Sequence, residues 1–298
     1  MAAGVPTSYA PPPIPTPFAS ADHVEGAAIE AVDIGGPAAP PDRVAFLDGI
    51  QRFAVEGRIG LVPVIRGYVA AAVLCREGGV LHVADVEAEE FLVVPLRHLT
   101  GEQREALVSA DLPIHEPVGA ERAHPIVDVQ LAAQVVEERR EAVELRVARR
   151  HLATSPDEWL VMDGSIAGLS EASTAEACVL GVIKSHETQF LAGRDLGVAL
   201  TLPVGHRTSV FGRGAGARAR VYTWYLRLWP WEERDLLHGL VRIERAATAR
   251  ALAEATTVSR WLLAERAPLA APDGRWDRLL YPVRQVETYL RANAGGWW

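Results

Sequence analysis

Two apolar segments, Arg43 to Asp48 and Trp159 to Asp163, run without a break and each stop at an Asp-Gly step. A short uninterrupted apolar run bounded by a turn-forming pair reads as a strand buried on both faces. Such strands belong in the middle of a sheet that helices cover. Each would carry a carboxylate at its C-terminal end. The sequence between them supplies the rest of such a sheet: Ile59 to Cys75 and Val80 to Val86 are β-rich and joined by Gly78-Gly79, a hairpin signal, and Phe91 to Leu96 reads as a further strand. From Val127 to Leu152, Val129, Ala132, Ala133, Val136, Val143, Val147 and Ala148 recur at helical spacing. The order predicts a mixed α/β fold.

Beyond Asp163 a short helix is expected around Ser170 to Ala177. Val179 to Ile183 reads as a strand ending at Lys184, and Val221 to Trp229 and Gly239 to Ile243 as two more. Helices are expected from about Gly101, over Ala247 to Arg266 and over Tyr281 to Asn293. Prolines 11, 12, 13, 15, 17, 37, 40 and 41 mark residues 1–41 as a Pro-rich N-terminal arm, leaving 42–298 as one domain. A hydrophobic content of 49% is ample for a core. No apolar run approaches the roughly 18 residues of a membrane span, and no secretory signal is visible, so a soluble protein is expected. Cys75 and Cys178 lie in apolar runs and read as buried, reduced thiols of a cytoplasmic protein, with no zinc site implied.

Carboxylates gathered at strand ends hold pairs of divalent cations about 4 Å apart, the arrangement that hydrolyses phosphodiesters. Asp48 and Asp163 are the strand-end candidates, although either alone reads equally well as a turn residue. The long helix offers Glu137, Glu138, Glu141 and Glu144. Glu144 sits at the margin of the apolar stripe, where a carboxylate is costly without a cation. That cation is either a metal or Arg140 one turn earlier, and Glu141 is the alternative ligand. Of the 30 cationic residues only Lys184 is a lysine, which points to a place needing a compact ammonium rather than a guanidinium. His186 reads as a loop histidine or a proton shuttle. The net charge of −8 argues against broad nucleic-acid binding, yet residues 196–231 contain no acid and include Arg207, Arg213, Arg218 and Arg220 among glycines. Gly205 to Arg220 reads as a phosphate-tracking or merely solvated loop. The terminal Trp297 and Trp298 would invite burial against a partner subunit or fold back on their own domain.

The series Phe46-Leu47-Asp48-Gly49-Ile50-Gln51-Arg52, Glu144-Leu145-Arg146-Val147-Ala148, Leu160-Val161-Met162-Asp163-Gly164-Ser165-Ile166, Gly181-Val182-Ile183-Lys184, Val241-Arg242-Ile243-Glu244 and Tyr281-Pro282 resembles the ordered motifs of NurA nucleases over roughly residues 43 to 293. The resemblance implies a ribonuclease H-like sheet. It also implies a manganese- or magnesium-dependent DNA nuclease, exonuclease and single-strand endonuclease, that works as a homodimer with a HerA-type hexameric ATPase in DNA repair or defence. Asp48, Glu144 and Asp163 would be the metal ligands and Lys184 an active-site contact. The last helix departs from the family pattern: Gln285-Val286-Glu287-Thr288 stands where a His or Asp is usual. Either Glu287 substitutes as a ligand, or the chain is a weakly active or inactive scaffold subunit of an ATPase complex.

Overall fold

The computed structural model describes residues 21–297 except 109–110, 120–122, 170–173, 175–176, 187, 214–220 and 269–275. The proline run at 11–17, most of the helix expected at 170–177, Arg218, Arg220 and Trp298 lie outside the described residues.

Two short strands, β1 (Ala21–His23) and β2 (Ala31–Asp33), open the described chain. Residues 21–41, assigned by composition to the arm, thus contribute two strands, and Ile29 and Ile34 are buried. Three long strands follow, β3 (Val44–Ile59), β4 (Val62–Glu77) and β5 (Val80–Val93), paired as an antiparallel meander. Gly78 and Gly79 make the second turn with positive φ of 58° and 81°, a conformation that the glycines adopt without a Cβ clash. β3 does not stop at Asp48 as expected. Its pairing with β4 runs on through Gly49 to Ile59↔Val62, and the extension was hidden because the side chains of 51–58 are exposed and carry no apolar alternation.

The helix α1 (Gly101–Val108) and the short strand β6 (Ile114–His115) lead to α2 (Val127–Thr154), whose stripe Ala132, Val136, Val143, Val147 and Ala148 is fully buried. This stripe packs on Ala45, Leu47, Val69, Ala71 and Val73, one face of β3 and β4. Each such valine or leucine side chain contributes about 1.5–3 kcal/mol by leaving water. The crossover returns the chain to β7 (Trp159–Asp163), parallel to β3, and then to β8 (Val179–Ile183), parallel to β7.

After α3 (Gly193–Leu200) come β9 (His206–Thr208), β10 (Phe211–Arg213), β11 (Val221–Arg227) and β12 (Leu240–Ala246). The helices α4 (Ala249–Ala264) and α5 (Tyr281–Ala292) complete the fold. Thr248 caps α4 by accepting from the Ala251 N–H at 3.1 Å. Pro282 sits in the first turn of α5, where its missing N–H is not needed.

All the strands form one mixed sheet with the path β1-β10-β11-β12-β8-β7-β3-β4-β5-β6, and β9 links β2 to β11. The segment β5-β4-β3-β7-β8, antiparallel on one side of β3 and parallel on the other, is the ribonuclease H-like sheet expected. α2 covers one face. On the other, α4 and α5 bring Val258, Trp261, Val286 and Leu290 onto Val44, Phe46, Ala70, Ala72, Leu180 and Val182. Among the described residues, no helix is long and apolar enough to cross a membrane.

Candidate active site

Strand periodicity decides which side chains meet at the sheet's edge. Successive residues of a strand face opposite sides. On β3, Val44 and Phe46 face α5 while Ala45 and Leu47 face α2. The alternation therefore turns Asp48 toward α5 and Gly49 toward α2. On β7, Val161 faces α5 and Leu160 and Met162 face α2, so Asp163 falls on the α5 side; on β8, Leu180 and Val182 put Lys184 there too. Leu47 is in register with Met162, so the two Asp residues lie side by side where the parallel pairing of β3 with β7 stops. Lys184 donates to Asp163 Oδ2 at 2.6 Å.

Glu144 arrives from the opposite face. It sits on the buried stripe of α2 and bends over Gly49, where a Cβ would lie 2.2 Å from its Oε1. Glycine at 49 therefore serves this close approach and not a turn. Gly49→Ala is expected to displace the Glu144 carboxylate, costing about 1–3 kcal/mol of stability as an overpacked site does. A crystal structure of the variant would show the displaced side chain, and an unmoved Glu144 would refute the account. Gly181 plays a matching part on β8: a Cβ there would meet the Gly164 carbonyl oxygen at 2.4 Å, so only glycine lets the chain after Asp163 fold across the strand.

The electrostatics are those of a carboxylate cluster short of cations. Asp48 is 7% exposed, and burial pushes its pKa well up, helped by the nearby Asp163, Glu144 and Glu287 and opposed by Lys184. Glu144 is raised to about 7, chiefly by burial, against the pull of Arg140, with Asp163 and Glu141 adding repulsion. Arg140 donates to Glu144 and, through Nε, to Gln51 Oε1 at 3.0 Å. Glu287, on α5, is held by Arg291 at 2.6 Å and lies close enough to Asp48 to raise its pKa. An all-oxygen donor set with an uncompensated buried carboxylate at its centre fits hard divalent cations.

A stability measurement tests this balance. Between the ordinary value of 4.5 and about 7, folded Glu144 binds a proton that the unfolded chain has released. Metal-free stability must then fall as pH rises through that window, by about 3 kcal/mol for a shift of this size. Urea unfolding in EDTA from pH 4.5 to 8 should show the decline, and Glu144→Gln should make it shallower, leaving the part that Asp48 contributes. A wild-type curve that rises over this range would refute it.

The other sequence candidates are dispersed. Glu141 is exposed on α2 and touches the cluster only through the charges of Arg140 and Glu144. His186 is packed against Tyr225, with Nε2 3.1 Å from the Leu240 carbonyl oxygen, so that nitrogen must carry the proton. Burial and then the charges of Arg278, Arg242 and Arg227 lower its pKa to about 4, which leaves it neutral and unsuited to shuttling protons near pH 7. Arg207 is buried and bound bidentately to Glu25 at 2.7 and 2.8 Å, so it fastens the N-terminal segment to β9 and is not available to DNA. Arg213 is partly exposed beside Phe190 and 3.4 Å from Glu244.

The motif series contained Ser165 and Glu244 without giving them a role, and Arg278 escaped the sequence reading altogether. Glu244, fully buried on β12, accepts from Ser165 Oγ at 2.6 Å and from Arg242 at 2.5 Å, which ties down the chain just past Asp163. Arg278 donates to the Lys184 carbonyl at 3.2 Å. Their contacts span 79 and 94 residues of sequence, and no local pattern records such distances.

No family model matches the chain, and no curated protein matches it significantly. Among solved structures, the NurA nuclease from Sulfolobus solfataricus superposes with a TM-score of 0.50 at 11% identity, covering 85% of this chain and 80% of that one. The catalytic domain of human endonuclease V aligns at 15% identity over 85% of this chain and 82% of its own, with a TM-score of 0.36. The chain therefore has a NurA-like fold, a ribonuclease H-like sheet with its acidic side chains at the C-terminal edge of the parallel strands.

Proposed function

We propose that the chain is a metal-dependent deoxyribonuclease. The observation that carries this reading is the convergence of Asp48, Glu144, Asp163 and Glu287 with the sole lysine at one edge of a NurA-like sheet. Asp48, Glu144 and Asp163 are the ligand set for two Mn2+ or Mg2+ ions, with Glu287 beside them. When bound, such ions lower the pKa of a water and neutralise the charge that develops on the phosphate. The chain's own residues do the rest. Asp48, within β3, and Asp163, at the end of β7, hold their carboxylates on adjacent rigid strands, Arg140 keeps Glu144 turned over Gly49, and Lys184 spends one donor on Asp163 and has others for a phosphate oxygen.

DNA is the proposed substrate, cut from ends and within single strands, with Arg213, Arg218 and Arg220 tracking its backbone and Arg207 removed from that role. A homodimer working with a HerA-type hexameric ATPase in the cytoplasm, in DNA repair or antiphage defence, completes the proposal. Its support is the motif series together with the fold. The test is cleavage of end-labelled single- and double-stranded oligonucleotides with Mn2+, with Mg2+ and with EDTA. Glu144→Gln should lose on the order of 10²-fold or more, and Glu141→Gln far less. Cleavage that persists in EDTA would overturn the reading, and the reverse ranking of the two glutamates would move the site one turn along α2. Light scattering tests the dimer, which a strict monomer at micromolar concentration would exclude.

A further inference from the structure

The opposite end of the same strands carries a second group of potential ligands. Cys75 lies near the end of β4 and pairs with Ala45 near the start of β3, His151 is in the last turn of α2, and Glu158 immediately precedes β7. The Cys75 sulfur, a His151 ring nitrogen and a Glu158 oxygen all lie within 4.8 Å of one another. His151 and Glu158 are each 4% exposed. Buried polar atoms are nearly always hydrogen-bonded, yet His151 Nε2 and Glu158 Oε1 have no hydrogen-bond partner. Nε2 stands 3.3 Å from Glu158 Oε2 without bonding to it, and the Cys75 thiol donates a hydrogen bond to the same oxygen, with Sγ and Oε2 3.5 Å apart.

Those separations have a simple reading. A tetrahedral zinc ion with bonds of about 2.0 Å to nitrogen and oxygen and about 2.3 Å to sulfur places nitrogen and oxygen ~3.3 Å apart and sulfur and oxygen ~3.5 Å apart. The two separations measured from Glu158 Oε2 thus already match a coordination sphere, and the sulfur lies within 4.8 Å of a ring nitrogen of His151. A cleft of about 420 Å³ lined by Arg43, Asp85, Arg150 and Ser155 opens onto the group and leaves room for a water as fourth ligand. Arg43, the cation nearest Glu158 at 3.8 Å, is 65% exposed and free to swing into solvent.

We propose that Cys75, His151 and Glu158 form a zinc-type metal site distinct from the carboxylate cluster. Sulfur, imidazole and a single carboxylate select zinc over the hard ions that an all-oxygen set takes. On binding, the Cys75 thiol proton leaves to solvent and the thiolate and carboxylate charges balance the ion. The site joins the end of α2, the end of β4 and the entry to β7. His151 lies two helical turns beyond Glu144, about 10 Å along the axis, so the ion clasps the elements that present Glu144 and Asp163. The proposal stands whether or not the chain cleaves DNA.

Cobalt titration of the purified, metal-free full chain tests it. Co2+ should produce the sulfur-to-cobalt charge-transfer band and the intense visible bands of tetrahedral coordination, saturating at roughly one equivalent, and Zn2+ should abolish them by displacement. Zn2+ should also raise the melting temperature. Cys75→Ser and His151→Asn should lose the band while Cys178→Ser keeps it, with circular dichroism confirming that each variant is folded. Co2+ held by the oxygen ligands of the carboxylate cluster gives no sulfur band, so the two sites are told apart in one spectrum. A wild type without the band, or a Cys75→Ser variant that retains it, would overturn the proposal.

Discussion

Asp48→Asn is expected to abolish metal-dependent cleavage, by on the order of 10³-fold or more, and at the same time to yield a more stable metal-free protein. The two effects share one cause. Asp48 is buried beside three other carboxylates, and its pKa is pushed well up because ionising it there costs free energy. Asparagine has nearly the same shape, removes that repulsion and keeps an oxygen to accept the Gly49 N–H, now bonded at 2.8 Å. The gain should be on the order of 1–2 kcal/mol, a rise of a few degrees in melting temperature for a domain of this size. Asp163→Asn should be as inactive without the same stabilisation, because it also dissolves the ion pair with Lys184. Calorimetry in EDTA beside single-turnover cleavage reads both quantities. An Asp48→Asn variant that melts below the wild type would show that the carboxylate is already compensated in the metal-free fold.

Lys184→Arg is expected to behave as a severe substitution. The ammonium is 14% exposed and held at 2.6 Å against Asp163, on the same side of the sheet as Asp48. A guanidinium is larger, planar and inclined to bind a carboxylate through two nitrogens, so it would take both oxygens of Asp163 and occupy the space proposed for an ion. Lys184→Ala removes the charge without the obstruction and should cost about 10²-fold, the size of one preorganised electrostatic contact to a transition state. The metal concentration giving half-maximal rate should rise in the Arg variant and change little in the Ala variant. Equal rates for wild type and Lys184→Arg at saturating Mn2+ would reduce Lys184 to a structural charge.

Much of this arrangement was legible in the chain because strand and helix periodicities are local. The runs ending at Asp48, Asp163 and Lys184, the apolar stripe of α2 and the Gly78-Gly79 turn each declare themselves within a few residues, and the order of these elements limits the topology to few choices. Glu144 could be preferred over Glu141 for the same reason, since its neighbours at helical spacing are apolar. Other features were decided only in three dimensions. Whether Gly49 ends a strand or makes room for Glu144 depends on a helix nearly a hundred residues away in sequence. Arg207 looked like a phosphate ligand until Glu25, 182 residues distant, claimed it. The Cys75, His151 and Glu158 group has no motif at all, because its members come from three elements whose ends meet only when the sheet and α2 are packed. Local pattern records which face of an element is buried. The partners that bury it, and therefore the charges that must be balanced there, are fixed by packing between segments distant in sequence.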